Sequence, residues 1–291
     1  MTTIDRPLAG KNVIVTGASR GLGACIARAM WHAGAHLLLV ARTESALLQL
    51  KGKLEAEAGS EQRVEVLTAD LASRDAVPAI VARARGLWDR LDALVNNAAV
   101  PGPIGKVWEN DWEEWQATLR VNLLAPVELC RACLPWMIAE RRGKIVNISG
   151  GGAAGPRPHF SAYAVAKTGL VRFSEILAEE ARDANVQVNC VAPGAMNTEM
   201  TRAVLRAGLE RAGAAEYRRA AEQVGGSGTK PERAAELCVF LASSASDGIT
   251  GKLISAVWDP WERLSEHRRD LASDVYTLRR ILPGDRGMDW A

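Results

Sequence analysis

The sequence predicts an α/β fold, a doubly wound parallel sheet with helices on both faces. Three observations carry this expectation. Short apolar runs alternate with helix-periodic stretches from one end of the chain to the other. The runs are nearly continuous in Val, Ile, Leu and Ala, as strands covered on both sides are. A glycine turn joins the first run to the first helical stretch, the join at which such sheets hold phosphate groups. No linker or short-period repeat interrupts the pattern, so a single domain is expected over 1–257, followed by an extension over 258–291.

Taken in order, Asn12 to Thr16 is a β-branched strand, and Gly17-Ala-Ser19-Arg20-Gly21-Leu22-Gly23 turns the chain into a helix over Ala24 to Ala33. The glycines permit a tight turn and a close backbone approach to a pyrophosphate over the helix N-terminus. A second strand, His36 to Ala41, ends at Arg42, and a helix follows from Glu44 to Ala58. Arg63 to Thr68 is the third strand, ending at Ala69-Asp70-Leu71, and Asp75 to Leu87 is helical. Leu91 to Val95 is the fourth, ending at Asn96-Asn97-Ala98-Ala99. A long helical stretch covers Asp111 to Arg141, with Asn122 inside it. Lys144 to Ile148 is the fifth strand and runs into Ser149 and three glycines. A helix spans Ser161 to Asp183. Val186 to Val191 is the sixth strand, ending at Pro193-Gly194. Helical stretches over Glu199 to Gln223 and Pro231 to Ala242 precede a last strand, Lys252 to Ala256. The glycine turn, Arg42, Asp70, Asn96, Ser149 and Pro193 all fall at strand carboxyl ends, where open α/β sheets bind their ligands.

Composition excludes several classes of function. The 291 residues are 48% hydrophobic with a net charge of +2, so no basic excess points to nucleic acid. No apolar run is expected to span a membrane, and Met1 to Leu8 lacks a signal-peptide core. The five cysteines lie in apolar segments, which suits reduced, buried thiols and a cytoplasmic location. Cys130-x-x-Cys133 falls in a helical stretch without a redox or zinc context, and no metal site is expected.

Tyr163-Ala-Val-Ala-Lys167 is the stretch that suggests chemistry. Four residues apart on a helix, the two side chains share a face. A free phenol titrates near 10. One ammonium about 4 Å away in a partly wet site is worth about 4 kcal/mol, enough to bring it to about 7. A general acid/base can therefore be made from an ordinary tyrosine.

With these pieces in place, the chain resembles the short-chain dehydrogenase/reductase family in its compact, single-domain form. The matching motifs are Thr16 to Gly23, Asp70, Asn96 to Ala99, Asn122, Tyr163-x-x-x-Lys167, and Pro193-Gly194 with Thr198, in family order over roughly residues 8–257. The resemblance implies a seven-stranded Rossmann-type sheet, a nicotinamide cofactor, and hydride transfer between an alcohol and a ketone. It implies that Tyr163 exchanges a proton with the substrate oxygen and that Lys167 lowers the Tyr163 pKa and bonds the nicotinamide ribose. Asn122 would hold a water in a relay to Lys167. Gly17, Ser19, Arg20, Gly21, Leu22 and Gly23 would cradle the pyrophosphate. Asp70 and the Leu71 amide would meet the adenine, Asn96 and Ala98 the adenosine side, and Pro193, Gly194 and Thr198 the carboxamide end.

The chain departs from that pattern at one position. The family's substrate-orienting serine lies 13 residues before the tyrosine, and here that residue is Gly150. Ser149 is the favoured replacement, with Ser161 or no serine hydroxyl as alternatives. The usual Asn-Asn-Ala-Gly ends instead in Ala99, which costs little if its φ stays negative. At the end of the second strand, where NAD-preferring relatives carry an acid, stand Ala41 and Arg42. With Arg20 nearby, two guanidinium groups suit a 2′-phosphate, so NADP(H) is expected over NAD(H).

The substrate loops, 100–104, 153–160 and 199–228, are mainly apolar, with Arg157 and His159 as polar exceptions. His159 is expected at the cleft mouth, and the segment from Met196 onward as a lid. The last 34 residues hold seven acids, six arginines and three tryptophans. The spacing of Leu271, Val275, Leu278 and Ile281 predicts a short amphipathic helix packed on this subunit or a neighbour. The resemblance also implies a homodimer or homotetramer acting on a small carbonyl or alcohol substrate, without nucleic acid or membrane. Two other readings remain open: a cofactor-binding protein with little turnover, and an isomerase or epimerase on the same scaffold.

Overall fold

The computed structural model describes residues 6–57 and 62–290. Its centre is a seven-stranded parallel sheet in the order β3-β2-β1-β4-β5-β6-β7. The strands are β1 (Asn12–Thr16), β2 (His36–Ala41), β3 (Val64–Thr68), β4 (Ala93–Asn96), β5 (Gly143–Ile148), β6 (Val186–Ala192) and β7 (Leu253–Ser255). The order reverses at β1, which pairs with β2 on one side and β4 on the other. That reversal opens a crevice beyond the strand carboxyl ends.

Period-two alternation explains why the strands read as continuous apolar runs. Val13, Val15, Leu37, Leu39, Val146 and Ile148 face one layer, with α1 (Gly21–His32), α2 (Glu44–Glu57) and α9 (Pro231–Ala242). Ile14, Leu38, Val40, Leu94, Ile145 and Val188 face the other, with α3 (Ala76–Leu87), α5 (Ala125–Ala139) and α6 (Ser161–Glu180). Ala58, the expected last residue of the second helix, lies outside the described residues.

The long helical stretch after β4 is α4 (Trp112–Leu119), a π-helical turn over Arg120–Leu124, and α5. The expectation that no apolar run is long enough to span a membrane needs correction. Trp112–Ala139 passes that test by length and composition, and 56% of its apolar window is buried inside the protein. Its length serves a core helix, apolar because Leu129, Cys130, Cys133 and Met137 pack under the sheet. The expected helical stretch over Glu199 to Gln223 is α7 (Glu199–Ala212) and α8 (Ala214–Glu222), separated at Gly213, whose φ is 78°.

The extension does not form the amphipathic helix that the Leu271 to Ile281 spacing predicts. It has short 3₁₀ turns at Trp261–His267, Asp270–Ala272 and Pro283–Arg286. Its backbone groups bond outward instead. Leu253 N–H donates to the Tyr276 carbonyl at 2.8 Å, across the edge that β7 would otherwise leave open. Lys252 Nζ donates to the carbonyls of Ser273 and Val275 at 2.7 and 3.0 Å. On α6, Glu175 Oε1 accepts from Leu278 N–H at 2.6 Å, and Arg172 donates to the Leu278 carbonyl. The extension therefore packs on its own subunit, with Trp261, Leu264 and Leu271 buried in the main core.

Candidate active site

All the special segments converge on one rim, because each follows the last residue of a parallel strand. The glycine turn leaves β1, Arg42 follows β2, Asp70 lies two residues past β3, Asn97 follows β4, Ser149 follows β5 and Pro193 follows β6.

The glycine turn is bound into this rim from below. A Cβ on Gly23 would lie 2.1 Å from the Gly17 carbonyl oxygen, and one on Gly17 would lie 2.7 Å from the Ala98 Cα. Thr16 Oγ1 accepts from the N–H groups of Asn97 and Ala98 at 3.0 and 3.1 Å. Asn97 Nδ2 donates to the carbonyls of Thr16 and Gly17 at 2.9 and 3.2 Å. Asn97 and Thr16 thus shape the turn, and the sequence reading missed them by settling on Asn96. Strand alternation was the available signal: Asn96 shares a face with Leu94, and Asn97 points the other way. Asn96 is turned into the interior, where its Nδ2 donates to Asn147 Oδ1 at 2.8 Å and contacts Cys130 Sγ at 3.4 Å. Cys130 and Cys133 are free and buried, and burial pushes the Cys133 thiol up to about 12, an inert packing role. Ala99 is absent from the positive-φ residues, so alanine is tolerated there.

At the start of α1, Arg20 is the N-cap and contributes no side-chain cap, which leaves first-turn N–H groups directed at the crevice. Arg20 and Arg42 are exposed, and neither has a carboxylate at ion-pair distance among the described residues. Asp70 Oδ1 accepts from Ala72 N–H at 3.0 Å and stands exposed at the rim, while Leu71 is buried. Thr198 caps α7, its N–H donating to Thr201 Oγ1 at 3.4 Å.

Tyr163 and Lys167 share a face of α6, both buried. Lys167 Nζ donates to the Ile148 carbonyl at 2.7 Å and stands 5.8 Å from the centre of the Tyr163 ring. Burial lowers the Lys167 pKa to about 8 and raises that of Tyr163 to about 12, with Arg157 pulling the phenol back down. The expectation that Lys167 alone brings the phenol to neutrality is therefore not met by the chain's own groups. Desolvation of the phenolate outweighs the available charge, and the ammonium is spent on a backbone carbonyl.

Asn122 is fully buried in the π turn. Its Oδ1 accepts from Val100 N–H at 2.9 Å and its Nδ2 donates to the Val100 carbonyl at 2.8 Å. The side chain fixes the loop after β4, so a relay water at this residue would rest on the backbone.

The serine question takes a definite geometry. Ser149 is buried, and its hydroxyl has no hydrogen-bond partner among the described residues. Ser161 Oγ accepts from Trp115 Nε1 at 3.1 Å and is engaged with α4. A Cβ on Gly150 would lie 2.2 Å from the Tyr163 hydroxyl. The tyrosine oxygen therefore occupies the space that a side chain at 150 would need. Tyr163 packs in one cluster with Ile104, Phe160, Val204, Ala212 and Ala220, which brings α7 and α8 over it. His159 joins the loops at the mouth: its φ is 70°, and its carbonyl accepts from Gly105 N–H at 2.9 Å.

A doubly wound sheet whose switch point carries a glycine turn, with a buried Tyr-Lys pair over the next crevice, defines an oxidoreductase of the nicotinamide-using kind. The chain belongs to the short-chain dehydrogenase family, whose model matches residues 11–207. It is 34% identical over 248 residues to the 3-oxoacyl-[acyl-carrier-protein] reductase FabG of Chlamydia muridarum, covering 85% of this chain and 96% of that protein. It is 32% identical over 254 residues to the human dehydrogenase/reductase SDR family member 4, covering 87% and 88%. Among solved structures it resembles a protein from Beutenbergia cavernae assigned, without proof of activity, as an NAD(P)-dependent gluconate 5-dehydrogenase and holding NADP at low occupancy, at 32% identity and a TM-score of 0.75, over 86% of this chain and 96% of that one.

The contact at Gly150 leads to a prediction. Gly150→Ser is expected to lower turnover, by about 100-fold, because the packed Tyr163 oxygen must be displaced by about an ångström. Initial rates of the two proteins with one carbonyl substrate measure this. A rise in turnover would mean that the tyrosine yields easily and that only a hydroxyl was missing.

Proposed function

We propose that this protein is an NADP(H)-dependent oxidoreductase that interconverts a ketone and a secondary alcohol, with Tyr163 as general acid/base. The observation that carries the reading is the buried Tyr163–Lys167 pair over the glycine end of β5, on the same rim as the glycine turn. The phenol is protonated at neutral pH and so has a proton to give to a carbonyl oxygen gaining charge, while burial makes it a weak acid in the protein alone. Lys167 holds positive charge near that oxygen, and the lid of α7 and α8 excludes water from it. When bound, the dinucleotide would supply the hydride and, in its oxidised form, a further positive charge.

The residues present suit that cofactor. The uncapped N–H groups of α1 and the open space around Gly21 suit a pyrophosphate. Arg20 and Arg42, neither in an ion pair among the described residues, with Ala41 rather than an acid ending β2, suit a 2′-phosphate. NADP bound at low occupancy in the Beutenbergia relative is in keeping with the same choice. NADPH is expected to exceed NADH in kcat/KM by roughly 10- to 100-fold, the worth of one or two charge-assisted hydrogen bonds. Ala41→Asp combined with Arg42→Ala should reverse the order. Preference for NADH in the unsubstituted protein would overturn this part of the reading.

Four buried free thiols among the five cysteines support a cytoplasmic location. Exposed Trp112, Leu124, Val165 and Ile176, on or between α4 and α6, support a homodimer or homotetramer formed through those helices. The occupied space at Gly150 favours one second reading, a protein that binds the dinucleotide and turns over little. Tryptophan quenching by NADPH without its consumption over a broad carbonyl panel would establish that reading instead.

A further inference from the structure

We propose that Arg157 is the substrate-recognition residue of this site and that the substrate is an oxo acid, its carboxylate seated on Arg157 and its carbonyl at Tyr163. The inference rests on the proposed role of Tyr163.

Arg157 lies in the loop after β5, six residues before Tyr163, with little of its side chain exposed. Its guanidinium carbon stands 4.0 Å from the centre of the Phe160 ring and 5.9 Å from that of Tyr163. Stacking of this kind fixes the plane of the group. Nε and Nη2 donate to Glu216 Oε2 at 3.0 and 2.7 Å. Glu216 is anchored on the far side as well, its Oε1 accepting from Arg219 Nη1 at 2.9 Å. One carboxylate thus serves two guanidinium groups, and the cluster keeps a net positive charge.

The side-on edge of Arg157 is used by Glu216, but its end-on edge is not. Nη1 makes no hydrogen bond among the described residues. An end-on pair of N–H groups is the other geometry in which arginine grips a carboxylate. The backbone beside it is bare. A Cβ built on Gly151 would have Arg157 Nη1 as its nearest neighbour, at 3.6 Å, and Gly150 places no side chain between this loop and the Tyr163 hydroxyl. Ile104, Val204 and Ala220 cluster with Phe160 and Tyr163 as an apolar lining, and Glu216, the carboxylate paired with Arg157, lies on the other edge of the guanidinium. A mainly apolar site with an oriented cation near the acid/base tyrosine, one edge of that cation unused, selects a short acid with a nearby carbonyl over its neutral analogue. Arginine earns this position through Phe160 and Glu216, which hold it still before the substrate arrives.

The test pairs acetoacetate and levulinate with their methyl esters. Binding to the full chain, with and without NADP, is measured by calorimetry, and turnover by NADPH consumption. Both readouts are taken for the unsubstituted protein, Arg157→Gln and Arg157→Lys, with thermal melts to check folding. The unsubstituted protein should bind at least one acid tenfold or more tighter than its ester. Arg157→Gln should erase that preference while leaving ester binding within twofold, and Arg157→Lys should restore part of it. Equal binding of acid and ester, or a preference that survives in Arg157→Gln, would overturn the inference. Acid-selective binding without NADPH consumption would uphold it while refuting the proposed reductase activity. Consumption with esters but no acid preference would do the reverse.

Discussion

Replacing Tyr163 by phenylalanine is expected to lower turnover by about 10²- to 10⁴-fold, the contribution of a positioned general acid. The ring remains, so its packing against Phe160, Ile104 and Val204 remains too. The hydroxyl alone is removed, and its oxygen is the atom that faces Gly150. Dinucleotide affinity should stay within a few-fold, because the glycine turn, Arg20 and Arg42 are untouched. The loss should therefore appear in kcat more than in KM. Lys167→Met should give a loss of similar order, and the double substitution should cost little more than either one, since the two side chains act as a unit. A Tyr163→Phe protein with a raised KM and an unchanged kcat would assign the tyrosine to binding alone.

Gly23→Ala carries the second large effect. The added carbon would lie 2.1 Å from the Gly17 carbonyl oxygen and 2.5 Å from Asn97 Nδ2. The first is backbone, fixed by β1, and the second is the amide that ties β4 to the turn. Neither can retreat without opening the turn or withdrawing α1 from the sheet. A buried overlap of this kind costs about 1–3 kcal/mol. A larger loss is expected in dinucleotide affinity, because α1 and the turn must present their N–H groups together. Gly21→Ala is the useful comparison. Its Cβ position is open, so only the strain of a 55° φ is added. Thermal melts and dinucleotide titrations of both proteins measure the contrast. A Gly23→Ala protein as stable and as tightly binding as the parent would contradict the close-packed turn.

Much of this architecture was readable from local pattern. The strands and helices follow from periodicity, and the rim follows from noting what stands at each strand end. Tyr163 and Lys167 were legible because four-residue helical spacing is a local property. What escaped was set by contacts distant in sequence. Asn97, and not Asn96, binds the glycine turn, a matter of which face the last strand residue presents across 80 residues to Gly17. The partner of Arg157 is Glu216, 59 residues away on a different helix. The extension shows helical spacing but lies along β7 and α6, because open strand-edge groups and Glu175 offer its backbone better partners than its own turns would. The raised pKa of Tyr163 was hidden too: a spacing argument counts the lysine but not the burial that opposes it.

One titration bears most directly on the role given to Tyr163. Tyrosinate absorbance is followed against pH for the unsubstituted protein and for Tyr163→Phe, and the difference isolates this phenol from the other two tyrosines. For the protein alone, ionisation of Tyr163 should appear only toward about 12. With saturating NADP⁺ the same difference curve should move down by several units, toward the pH range in which alcohol oxidation sets in. A difference curve that stays put when the dinucleotide binds, beside undiminished turnover in Tyr163→Phe, would place the proton transfer on another group.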